Sequence, residues 1–122
     1  MSEPSPLDPA ALERLRRLGG DEFAGKMAEL FLSYTAQKLA EARQALADGK
    51  PAAVAKAVHP IHSSAGNIGA GRVQELATRI ESLAIDAPGD SLAPLVSELA
   101  EAFEAVKLAL DEQKHALTQR KP

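Results

Sequence analysis

Apolar residues recur every three or four positions along almost the whole chain, and only a few short punctuations interrupt them. Those interruptions are Gly19-Gly20, Asp48-Gly49-Lys50, Asn67 to Gly71 and Asp86-Ala87-Pro88-Gly89-Asp90. A repeat near 3.6 residues is the period of a helix with one buried stripe, not of a strand. Asp8-Pro9 reads as an N-cap with proline in the first helical position, opening a short helix over Leu12, Leu15 and Leu18 that stops at Gly19-Gly20. Asp21 then caps a long helix to about Ala47, with Phe23, Met27, Leu30, Phe31, Tyr34, Leu39, Ala42 and Leu46 as its apolar positions. Met27, Phe31, Tyr34 and, later, Phe103 are expected in the core. Pro51 restarts the chain into a third helix, and Val73, Leu76, Ala77, Ile80, Leu83 and Ala84 mark the next. Asp90 or Ser91 caps the last, which carries Leu92, Leu95, Val96, Leu99, Phe103, Val106 and Leu110.

Four long helices joined by short loops place sequential helices side by side and antiparallel. The expected fold is therefore all-α: an antiparallel up-down-up-down four-helix bundle with a short extra N-terminal helix. A chain of 122 residues suits one domain over 1–122, with 1–6 and about 116–122 expected to be flexible. Abundant alanine, leucine and glutamate favour the same class. The absence of cysteine excludes disulfide and thiolate chemistry, and a net charge of −3 argues against a nucleic-acid surface. No apolar run approaches the length of a membrane span and no signal-peptide pattern opens the chain, so a cytoplasmic domain without membrane insertion is expected.

The stretch from Ala57 to Ala70 holds the chemistry. Read as a helix, Val54, Ala57, Val58, Ile61, Ala65 and Ile68 share one face, while His59, Ser63 and Gly66 share the other at i, i+4 and i+7. His59 therefore points to water among very small neighbours, as a reactive ring open to a docking partner requires. Histidine is a competent nucleophile near neutral pH because its ordinary pKa is near 6.5. Pro60 removes a helical hydrogen bond to the Lys56 carbonyl, and a kink near Lys56 to Val58 is expected. An ordinary surface histidine, and a metal site shared by His59 and His62, are the competing readings. Ferritin-like bundles aim Glu-x-x-His motifs inward, whereas this pair points outward without such companions. No metal is assigned, and His115 reads as solvated surface.

The run His59-Pro60-Ile61-His62-Ser63-Ser64-Ala65-Gly66-Asn67-Ile68-Gly69-Ala70 resembles the phosphotransfer motif of the histidine-containing phosphotransfer (HPt) domains of bacterial phosphorelays. The helix order and the opening Leu-Asp-Pro…Leu-Arg-Arg-Leu-Gly-Gly are also similar to that family. The resemblance implies that His59 accepts a phosphoryl group from a receiver-domain aspartate and passes it to another receiver. Partners would be receiver domains of a hybrid histidine kinase or response regulator, docking where Pro60, Ser63 and Gly66 let their loops come close. His62 stands where the family usually has lysine, and it can support the phosphoryl charge only when protonated. Ser63 stands where glycine is usual. Mg²⁺ would come from the receiver, since the chain has no Gly-rich phosphate loop, no Walker lysine and no carboxylate cluster suited to the ion. ATP-dependent kinase activity is accordingly not expected, and a monomer is. The alternative is an HPt-like module that regulates a two-component pathway by docking to receivers without passing phosphate.

Overall fold

The computed structural model describes residues 6–86 and 91–120, with side chains through Ile85 and from Ser91 to Glu112. Four helices follow in order: α1 Pro9–Ala47, α2 Pro51–Ile68, α3 Gly71–Asp86 and α4 Leu92–Arg120. Helix α2 packs most extensively, against α1 on one side and α3 on the other, and α4 closes the bundle against α3 and more thinly against α1. The all-α bundle read from the periodicity is the observed fold.

The short first helix and the long second one form a single helical run with one extended residue inside it. Gly20 sits at φ 85° and ψ −179°, a conformation that L side chains rarely adopt, and the helical path breaks there. Asp8 caps the start, its Oδ1 accepting from the Ala10 N–H at 3.0 Å with Pro9 next in line. At the far end Asp48, Gly49 and Lys50 turn the chain back, their N–H groups donating to Gln44, Leu46 and Ala45. Helix α2 runs without interruption through Pro60 and on to Ile68, so Asn67 belongs to the helix, and the junction to α3 is only Gly69-Ala70. Gly69 closes α2 in the left-handed conformation, φ 80°, while the Ala70 N–H donates to the Ala65 carbonyl at 2.8 Å. A Cβ at Gly69 would lie 2.6 Å from that of Ala11, because the Asp8 N–H donates to the Gly69 carbonyl and binds the N-terminal segment to this turn.

The core is aliphatic. Val54, Val58, Ile61 and Ile68 of α2 meet Val73, Leu76 and Ile80 of α3 and Leu92, Val96, Leu99 and Val106 of α4. Phe31 and Phe103 join α1 to α4 with ring centroids 6.1 Å apart. One expectation fails here. Tyr34 is not a core residue but 39% exposed, and Leu30 and Phe23 beside it are 62% and 38% exposed. Helix α1 turns Phe31, Thr35, Leu39 and Ala42 inward instead. The expected cap at Asp90 and most of the Asp86–Asp90 loop lie outside the described residues, as do 1–5 and 121–122 at the expected flexible ends. The side chain of His115 lies outside them too.

Candidate functional site

The apolar stripe of α2 fixes the direction of everything else on that helix. Because Val54, Ala57, Val58, Ile61, Ala65 and Ile68 are all buried, His59 is turned outward, with 76% of its side chain exposed. Going round the helix one way from His59, Ser63, Asn67 and Ser64 lead towards α1. The other way, Gly66 and His62 lead towards α3.

Across the α3 border His59 has a partner that the motif does not contain. Its Nδ1 lies 2.7 Å from Oε2 of Glu81, a charge-assisted hydrogen-bond length between residues 22 apart in sequence. The side chain of Glu81 is 30% exposed, held at the edge of the bundle by the buried Ala77 and Ile80 of the same helix. A carboxylate at Nδ1 accepts the proton there, so the tautomer that makes this bond leaves the Nε2 lone pair free and facing solvent. The pair thus fixes both the ring and which nitrogen is nucleophilic.

The other sequence candidates divide between the two borders. Ser63 is exposed beside His59, and Pro60 is half-buried. His62 is half-buried on the α3 side, three residues after His59 and therefore a neighbour on the helix surface. At Gly66 the space is taken up by α3: an added Cβ would lie 2.6 Å from Nε2 of Gln74. Gln74 and Glu81 are seven residues apart, on one face of α3, and together they line its border with the histidine face.

The α1 border is different in kind. Met27, Leu30 and Tyr34 of α1 face Ser64, Asn67 and Ile68 of α2 across a groove of about 250 Å³. Leu30 and Tyr34 stand exposed on it, and Phe23 continues the same stripe at i, i+4, i+7 and i+11 with Met27, Leu30 and Tyr34. A larger groove of about 700 Å³ runs between α1 and α4, but no residue of α2 lines it and it is remote from His59. Among the described residues no three His, Cys, Asp or Glu side chains come together as a metal would need.

Fold and site define a helical bundle that turns His59 outward, with a carboxylate at its Nδ1. The family model of the Hpt domain matches residues 26–118, most of the chain, and the protein belongs to the Hpt domain family. Hpt domains serve histidine phosphotransfer in phosphorelays and interact with receiver domains of hybrid kinases, and this chain has that role. The chain is similar in fold to the crystal structure of histidine-containing phosphotransfer protein B (HptB) from Pseudomonas aeruginosa PAO1. That match has a TM-score of 0.85 at 18% identity over 94% of this chain and 98% of the other. It is also similar to the Hpt domain of an Hpt sensor hybrid histidine kinase from Shewanella, with a TM-score of 0.75 at 21% identity over 97% and 98%. No curated protein matches the chain. No helix among the described residues is long and apolar enough to cross a membrane.

Proposed function

We propose that His59 is the phosphoryl acceptor and that its Nε2 is the attacking atom. The observation that carries this reading is the 2.7 Å contact of Nδ1 with Glu81 on an otherwise exposed ring. As the P–O bond of a receiver's aspartyl phosphate breaks, its electron pair returns to the aspartate carboxylate and a P–N bond forms at Nε2. The ring gains positive charge in that step. Glu81, accepting from Nδ1–H, balances that charge and keeps the ring from turning. The reverse sequence delivers the phosphoryl group to a second aspartate.

The receiver docks over the outward face of α2 with its edge on the Leu30–Tyr34 stripe. That stripe is continuous with the histidine face through Asn67 and Ser64, and it places apolar surface where a partner helix can cover it. The small side chain of Ser63 keeps the approach to Nε2 low, while the space left by Gly66 is taken by Gln74. The receiver brings Mg²⁺, because phosphoryl transfer depends on charge neutralisation that the cation supplies beside its own aspartate. His62 adds support when protonated. We place this domain in the cytoplasm, as a monomer.

Phosphotransfer from a panel of labelled receivers to the wild type, His59→Gln and His62→Gln tests the reading. Label on the wild type and His62→Gln but absent from His59→Gln is the expected result. Label lost only from His62→Gln would show the wrong histidine was chosen. Receiver binding with no label on any form would establish a docking module that passes no phosphate.

A further inference from the structure

A phosphoryl group on His59 brings about two negative charges, while the Glu81 carboxylate, 2.7 Å from the ring, is already set against the positive charge of the ring itself. A cation of this chain within reach of His59 would offset the phosphoryl charge. Helix α2 contains a single lysine or arginine, Lys56. It precedes His59 by three residues, a spacing that makes the two side chains surface neighbours, with Cβ atoms about 5–6 Å apart. Side chains of a helix all lean towards its N-terminus, so the imidazole of His59 lies over the turn that carries Lys56. The flexible four-carbon stem of the lysine folds back to bring its ammonium to the ring. Lys56 is exposed, and no carboxylate is paired with it among the described residues. Lys38 of α1, by contrast, is engaged with Glu41 at 3.4 Å and lies over the Tyr34 ring. Arg72 of α3 is shared between Glu75 and Glu98.

We infer that Lys56 is the cation that neutralises the phosphoryl group on His59, reaching it across one turn of α2. The inference rests on His59 being the acceptor. It gives the chain an ammonium group on the N-terminal side of the histidine, opposite the imidazole of His62 on the C-terminal side.

The experiment uses two phosphoryl donors on the full chain: a labelled receiver and phosphoramidate. Phosphoramidate needs no docking surface; its P–N bond breaks, ammonia leaves and the phosphoryl group bonds to Nε2. Lys56→Gln is expected to slow labelling by both donors about three- to fivefold, the size of one exposed charge pair, and the loss shrinks at high salt. Lys56→Arg restores most of the rate, and circular dichroism stays unchanged because the side chain is exposed. If Lys56→Gln matches the wild type with both donors while His59→Gln takes no label, the inference about Lys56 is wrong and the acceptor reading stands. Slowing with the receiver alone would make Lys56 a docking residue and overturn its role on the phosphoryl group. If His59→Gln is labelled as well as the wild type, or the wild type takes no label from either donor, both readings fall together.

Discussion

The two borders of the histidine face solve different problems. On the α3 side, polar groups reach across and close on α2: Glu81 holds His59, and Gln74 fills the space beside Gly66. On the α1 side, no described residue closes the gap. Leu30 and Tyr34 stand above a groove whose other wall is Ser64 and Asn67, and a large apolar surface is left to water. One border is finished within the chain, and in the proposed function it sets the chemistry. The other leaves apolar side chains exposed, and in the proposed function it receives the partner. If His59 is the nucleophile and the α1 stripe the receiver's seat, as proposed, orientation and affinity are carried by different helices and should separate under mutation.

The sharpest separation is expected at Glu81. Glu81→Ala removes the acceptor at Nδ1, freeing the ring to turn and to place its proton on either nitrogen. Outer partners that orient a metal-bound histidine are worth about 10- to 100-fold, and a loss of this size is expected in transfer rate. Binding of an unphosphorylated receiver, measured by calorimetry, should be unchanged. A matching loss of receiver affinity would erase the distinction between the borders.

The α1 border is expected to behave in the opposite way. Leu30→Ser and Tyr34→Ser each remove exposed apolar surface, so thermal stability should shift little, within about 0.5 kcal/mol. Anchor residues at an interface contribute more than about 1 kcal/mol, which corresponds to receiver binding weaker by about five- to tenfold. Labelling by phosphoramidate should stay at the wild-type rate. A drop in that rate would mean that the stripe supports the histidine itself.

How far the site could be read in advance follows the same division. His59, Ser63 and Gly66 share one face because the buried stripe of α2 is regular, and a 3.6 period alone turns them outward. Glu81 was not legible in that way. Its contact depends on how α3 is rotated against α2 over a separation of 22 residues, which no local pattern encodes. A signal was present: Gln74, Thr78 and Glu81 fall at i, i+4 and i+7 beside the apolar stripe of α3. On α1 the sequence offered too much. Phe23, Met27, Leu30, Phe31 and Tyr34 make an apolar arc wider than the core can cover, and only Phe31 of these is buried. Thr35, fully buried and polar, carries no apolar signal, though it lies on the inward face with Phe31 and Leu39. Surplus apolar residues beside a complete core stripe were thus the mark of an exposed apolar surface. The break at Gly19-Gly20 and the turn at Asp48-Gly49-Lys50 were legible because their causes are local.

The smallest effect, and the finest probe of the α3 border, is expected at Gly66. Alanine is favoured over glycine within a helix by about 1 kcal/mol. Against this, the new Cβ would sit 2.6 Å from Nε2 of Gln74, so the amide must move. That atom is the far end of a flexible side chain, and rotating it away costs little, leaving Gly66→Ala equal to or slightly more stable than the wild type. The informative quantity is the transfer rate. If Gln74 only fills space, the rate stays within about twofold, because Glu81 lies two turns further along α3 and keeps its contact with Nδ1. If the rate falls as far as in Glu81→Ala with stability unchanged, the two polar residues act as one unit, and the position of Gln74 is part of what holds His59 in place.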